Sequence, residues 1–200
     1  MYLQIKKDWQ LLYKVIPKER DKVDKFIGNE SIEKLIRFLI VAEDHRYKYH
    51  WGFDMIAITR ACHKRVFFKT REGASTIEQQ LVRVITNDYN CTLRRKLKEI
   101  ILAFLIKFII DKKHTALVYL NIAYYGTNYQ NLDAILAKFG LHKGSILNDK
   151  ICSEIIARLK YPEPQHYNKK RLKQIERRKQ HILRLYRYYS TNKTLNIWLK

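Results

Sequence analysis

Glycine and proline are scarce in this chain, with six Gly and three Pro in 200 residues. A fold of many short strands needs turn residues every few positions, so that architecture is excluded and helices are favoured. Cysteine offers no staple. Cys62, Cys91 and Cys152 are odd in number and widely spaced, and they form neither a disulfide framework nor a CxxC zinc site. The seven His residues show no HExxH or similar spacing, although His45 and His50 lie near Glu43. No protein-built metal cage is therefore expected.

Long apolar runs are missing too. Residues Met1 to Arg20 mix Lys, Asp, Glu and aromatics, which is no secretory signal. The longest apolar block, Ile100 to Ile110, is interrupted by Lys107 and is about half the roughly 20 residues needed to span a bilayer. No membrane span is expected. Acidic residues are also under-represented, 19 Asp and Glu against 40 Lys and Arg, for a formal charge of +21. A surplus that large points to a polyanionic partner: nucleic acid, an anionic bilayer or a diphosphate-bearing substrate.

What is present suits one packed body. Hydrophobic residues make up 46% of the chain, enough for a single core, and no repeat or low-complexity linker marks a second domain. The organisation read from pattern is an N-terminal extension over 1–30, a domain over 31–189 and a tail over 190–200. Within the domain, Ile32, Leu35, Ile36, Leu39 and Ile40 share one helical face behind a Ser31 cap, and that helix runs to Glu43. Helices are expected over Asp54 to Phe68 and from a Ser75-Thr76-Ile77-Glu78 capping box, with a loop at Arg71 to Ala74 between them. Thr92 caps the longest apolar stripe, Leu93, Leu97, Ile100, Ile101, Phe104, Leu105 and Phe108, expected as the central core helix. Further helices follow at Lys113 to Tyr124, Asn131 to Phe139, Asp149 to Leu159 and Lys169 to Tyr189.

Three constellations carry chemistry. Glu43-Asp44-His45-Arg46 closes an apolar helix before Gly52, placing a carboxylate at a cleft rim, where shielding by Tyr47 and Trp51 would suit it to accept a proton from a sugar hydroxyl. The plain alternative is an i,i+3 pair between Glu43 and Arg46. Gly73 to Gln80 is a small-residue loop entering a helix whose free amides can bind an anion, with Gln79 and Gln80 as neutral partners for sugar hydroxyls. Arg95, Lys96 and Glu99 share one side of their helix, away from Leu93, Leu97 and Ile101. Cations beside a carboxylate can hold a diphosphate, directly or through a divalent ion; the alternative is a surface i,i+4 pair.

The order and spacing of these motifs, followed by Tyr119-Leu120-Asn121-x-x-Tyr124-x-Gly126 and Arg177-Arg178, resemble the glycosyltransferase family 51 peptidoglycan polymerases from about Ile36 to Leu183. That resemblance implies an all-α, lysozyme-like fold and polymerisation of lipid II by inverting transfer, with undecaprenyl pyrophosphate as leaving group. It implies Glu43 as general base and Glu99 beside the diphosphate. Arg60, Arg83 and Lys96 then match diphosphate-holding cations, and Ser75, Gln79 and Gln80 match substrate contacts. Magnesium or another divalent cation is the cofactor the family often uses. The partners implied are lipid II, the growing glycan strand and an anionic membrane surface, at the outer, periplasmic face of a bacterial inner membrane. Lys169 to Arg187, with nine Lys and Arg and one Glu, is expected to lie on the headgroups.

Departures from the family pattern are Tyr47 for Phe, Arg83 for Lys, Val84 for Asn, Cys91 where a diphosphate-binding Arg is expected, and Lys160 for Pro. Arg94 is the residue placed to compensate for Cys91. A basic helical nucleic-acid-binding protein would account for the charge but not for the motif order. A glycan-cleaving enzyme would not need the cations, and a degenerate homologue that only binds lipid-linked sugar is the reading that Cys91 keeps open.

Overall fold

The computed structural model describes residues 2–69 and 73–191. It is all-α, as expected. Nine α-helices run among the described residues: α1 (Tyr2–Val23), α2 (Glu30–Glu43), α3 (Met55–Phe67), α4 (Ile77–Thr86), α5 (Leu93–Ile106), α6 (Lys112–Ile122), α7 (Leu132–Lys138), α8 (Asp149–Lys160) and α9 (Lys169–Thr191). Residues 71 and 72 of the expected loop, and 192–200 of the expected tail, lie outside the described residues.

The centre is α6, not α5. Every residue from Thr115 to Asn121 is buried, and α6 packs on α1, α2, α4 and α7. Residues 1–30, set apart in the sequence as an extension, contribute directly to the same core. Leu12, Ile16 and Val23 of α1 are fully buried, and Ile5 and Trp9 pack beside them. Lys98 completes the docking by holding both Asp8 of α1 and Asp88, each at 2.7 Å.

The stripe expected at the centre of α5 faces outward. Leu93 is 78% and Phe108 70% exposed, while Lys98, Glu99, Leu102, Ala103 and Ile106 are buried. The physical reason is the polar group, not the apolar ones. A buried carboxylate is tolerated only among donors, and the donors for Glu99 include residues of α4, so that side of α5 must turn inward and the Leu93 side outward.

Caps follow local chemistry at shifted positions. Asn29 rather than Ser31 caps α2, accepting from the Ser31 and Ile32 amides, because the Ser31 hydroxyl accepts instead from the Leu147 amide. Thr76 rather than Ser75 caps α4, accepting from the Gln79 amide at 3.3 Å, which leaves Ser75 for other work. Thr92 caps α5 as expected.

Two glycines mark close approaches. Gly126 (φ +155°) lies where a Cβ would stand 2.7 Å from the Glu163 carbonyl oxygen. Gly52 has φ +88°, and a Cβ there would stand 2.2 Å from the Ala103 carbonyl oxygen of α5. Gly52→Ala combines left-handed strain with a backbone clash and is expected to lower stability by about 2–3 kcal/mol. A urea titration reads this as a lower midpoint; an unchanged midpoint would mean that the loop shifts freely.

Candidate active site

Glu43 is placed by the way α2 ends. Asp44 leaves the helix with φ −153°, and its carboxylate accepts from the Ile77 amide at 3.1 Å. That bond ties the end of α2 to the start of α4 and brings Gln80 to Glu43. The Gln80 Nε2 amide donates to Glu43 Oε2 at 3.3 Å, while Gln80 Oε1 accepts from the Tyr119 hydroxyl at 2.5 Å. Burial, reinforced by the Glu43 charge, pushes the Tyr119 pKa far up, so its hydroxyl stays a donor and orients the amide.

The partner of Glu43 is not Arg46, which pairs with Asp54 at 2.8 Å. It is Arg178 of α9, whose Nη2 reaches Glu43 Oε1 at 2.9 Å and the Ala42 carbonyl at 2.7 Å. An open groove of about 550 Å³ passes over Glu43 and is lined also by Arg60, Ser75, Gln80, Arg83, Lys160, Arg178 and His181. Tyr47 and Trp51, expected to shield Glu43, do not line it. Tyr47 is buried with its hydroxyl on the Lys112 carbonyl, and Trp51 is 69% exposed.

Glu99 lies behind a layer of cations. Arg83 reaches both its oxygens at 3.0–3.2 Å, Lys96 donates at 2.8 Å, and Arg95 caps Oε2 from the same helix. Burial opposes its charge, but the bonds from Arg83 and Lys96 outweigh that and hold its carboxyl below the usual range. Lys96 also reaches Ser75 Oγ at 3.0 Å and Gln79 Oε1 at 2.5 Å. Burial lowers the Lys96 pKa, with Glu99 acting in the opposite direction. The group is one connected network, in which Arg83 touches Ser75 and Glu99 and also lines the groove over Glu43.

The predicted residues therefore divide. Glu43, Arg60, Ser75, Gln80 and Arg83 line one groove. Gln79 is fully buried and positions Lys96; Glu99 is 2% exposed and anchors the cations from behind. Arg95 lines a different groove with Arg94, Asp88 and Lys98. Lys160, the other departure, adds a cation to the groove itself.

Burial, with nearby cations added, sets the state of the groove's imidazoles. Burial lowers the pKa of His181, helped by Arg178, Arg184 and Lys160; burial and then Arg60 lower that of His45. Both rings stay neutral near pH 7, and the groove keeps a positive field suited to an anion.

A second groove of about 570 Å³ shares Gln80, Arg83 and Leu159 with the first and is lined by Tyr89, Tyr119, Tyr124 and Gln130. Gln130 in turn borders a groove of about 650 Å³ edged by Lys22, Lys25 and Lys143. Sequence spacing missed Arg178 and Tyr119 as neighbours of the acid, because each is brought in from another helix. The Arg177-Arg178 pair in a basic helix was the available signal for the first.

Comparison with known proteins gives the family. The chain is 40% identical over 98 residues to penicillin-binding protein 1A of Vibrio cholerae, covering 48% of this chain and 12% of that protein. It is 29% identical over 124 residues to the monofunctional glycosyltransferase of Staphylococcus aureus, 57% of this chain and 46% of the relative. Penicillin-binding protein 1A of Rickettsia prowazekii is 36% identical over 104 residues, 49% of this chain and 13% of that protein. The matches thus span less than half the length of these relatives. The Transglycosylase family pattern covers residues 11–187, and the chain belongs to that family.

Proposed function

We propose that this chain is a peptidoglycan glycosyltransferase that extends glycan strands from lipid II with release of undecaprenyl pyrophosphate. The observation that carries this reading is Arg83, which lines the groove over Glu43 and also grips Glu99, so that one cleft offers a carboxylate and a fixed bank of cations. Arg178 occupies Glu43 Oε1, and only the longer Gln80 contact touches Oε2. Oε2 is thus the oxygen open to an acceptor hydroxyl. It takes the proton of the sugar 4-hydroxyl as that oxygen forms a bond to the donor's anomeric carbon. The bond to pyrophosphate breaks on the opposite face, and the departing oxygen takes the electron pair. Arg60, Arg83 and Lys160 meet that charge with positions already set by the fold.

Glu99 does not fit a divalent ion in this arrangement. Its oxygens already accept from Arg83, Lys96 and Arg95, and an ion there would have to displace ammonium and guanidinium groups. The cations themselves are assigned the diphosphate. The test is incubation of the purified chain with lipid II and separation of glycan products by gel; no polymer from the wild type under membrane-mimetic conditions would sink the reading.

The same reading requires a membrane surface, because both substrates are lipid-linked. No helix among the described residues is long and apolar enough to cross one. The basic helix expected on the headgroups is instead occupied in part: α9 packs on α8 and α2, and Arg178 faces inward to Glu43. A better docking face is the outward side of α3, α5 and the turn after α5, where Met55, Ile56, Val66, Phe67, Leu93 and Phe108 are exposed. Lys107 lies within 5.0 Å of the Trp51, Phe104 and Phe108 rings, a mixture suited to the headgroup boundary. Replacing Phe67 and Phe108 together by Ser is expected to weaken binding to anionic vesicles by about tenfold or more, since each buried aromatic contributes roughly 1.5–3 kcal/mol. Vesicle co-sedimentation reads it, and unchanged binding would remove this face from consideration.

A further inference from the structure

Beneath the groove lies a polar cluster that the proposed transfer does not use. Asp44, His50 and Glu78 are all more than nine-tenths buried, and one ligand-type atom from each lies within 4.8 Å of the others. They come from three segments: the end of α2, the loop before Gly52 and the first turn of α4. His50 Nε2 stands 3.0 Å from both Asp44 oxygens. Lys112 takes Glu78 Oε1 at 2.7 Å, and Glu78 Oε2 is buried with no hydrogen-bond partner. His50 Nδ1 is likewise unpartnered.

A buried carboxylate oxygen without a donor is costly, and a second carboxylate beside it raises the cost. Lys112 meets one oxygen of Glu78, and His50 with the Ile77 amide meets Asp44, but Glu78 Oε2 keeps no donor. Buried acids that persist in proteins are paired or hold a metal, and a nitrogen with two carboxylate oxygens is a metal-ligand set. From this we propose that Asp44, His50 and Glu78 form a binding site for a divalent transition-metal ion, with zinc the best match.

The donor set and the burial choose the metal class. Magnesium keeps several waters and takes oxygen ligands in a near-ideal octahedron, for which a site this buried has little space. Zinc accepts imidazole and carboxylate together in a small tetrahedral shell. Ligand atoms around a tetrahedral zinc stand about 2.0–2.2 Å from the ion, hence roughly 3.3–3.6 Å apart. The three ligand atoms, within 4.8 Å of one another, draw together onto the ion by rotation of the Glu78 side chain. Nε2 binds the ion through its lone pair, with the imidazole neutral and its proton on Nδ1. The bound ion would clamp together the segments that carry Glu43 and Gln80, which makes the three ligands positioning residues.

The experiment uses the full chain, stripped with chelator, re-equilibrated with zinc sulfate alone and dialysed. Metal analysis is expected to find about one zinc per chain, with a rise in melting temperature. Glu78→Gln keeps an acceptor for Lys112 and is expected to weaken zinc binding by about 100-fold or more without changing the far-ultraviolet circular dichroism. Cobalt substitution separates this site from the exposed thiols of Cys62 and Cys91: visible d–d bands without a thiolate charge-transfer band are expected. Absence of retained zinc in the wild type, equal binding by Glu78→Gln, or a thiolate band each overturns the proposal. If Glu78→Gln does not fold, the cobalt spectrum of the wild type decides.

Discussion

Glu43→Gln is expected to lower the turnover of lipid II by about 10²–10⁴-fold while leaving its binding nearly unchanged, the range for losing a positioned general base. Gln has the shape of Glu, and its amide oxygen can still accept from Arg178, which now holds the acid at 2.9 Å. The groove cations are untouched, so the diphosphate keeps its partners. What disappears is the open Oε2 as a proton acceptor. Single-turnover polymerisation beside a lipid II binding measurement reads the two effects separately. Equal turnover by the variant would show that Glu43 merely balances Arg178, and a matching loss of binding would show that the variant has lost groove structure instead.

The largest structural effect is expected at Glu99. Its side chain is 2% exposed and bears Arg83, Lys96 and Arg95. Glu99→Ala would leave three cations facing one another with no anion among them. Removing one partner of a buried ionic group costs about 3–5 kcal/mol, and denaturant unfolding is expected to show a loss of that order. The sign of the pH dependence follows from the lowered pKa. Glu99 titrates below its ordinary value of 4.5 because the bonds from Arg83 and Lys96 outweigh burial. Its stabilisation is therefore complete above about pH 4.5 and is lost as the pH falls through the lower folded value. Glu99→Gln is expected to flatten the acid limb of the stability curve. A variant with the wild-type limb would assign acid unfolding to other carboxylates.

Glu99 also explains why the apolar pattern of α5 points to the wrong face. Apolar periodicity picks out a face but not its destination, and α5 has two faces able to be buried. Leu102, Ala103 and Ile106 line one; Leu93, Leu97 and Ile101 line the other, with Phe108 just past its end. Hydrophobic transfer alone favours the larger set. The network through Ser75, Gln79 and Arg83 reverses the choice, because the ionic face can be buried only against α4. The assignment of Arg95, Lys96 and Glu99 to the side opposite Leu93 was legible in the spacing, while inward and outward were not. The core role of α1 was legible in principle, since Ile5, Trp9, Leu12 and Ile16 recur at helical intervals. Pro17 within the helix and the surrounding charges obscure it.

Residue order alone was enough for the helical class, most helix limits and the family resemblance, because each depends on neighbours a few positions apart. Folding had to supply the rest. Arg178 meets Glu43 across 135 residues of chain, Tyr119 orients Gln80 across 39, and Asp44, His50 and Glu78 converge from three segments without any ligand spacing. Such meetings are set by how helices pack and by the need to satisfy every buried charge, which no local pattern in the chain encodes.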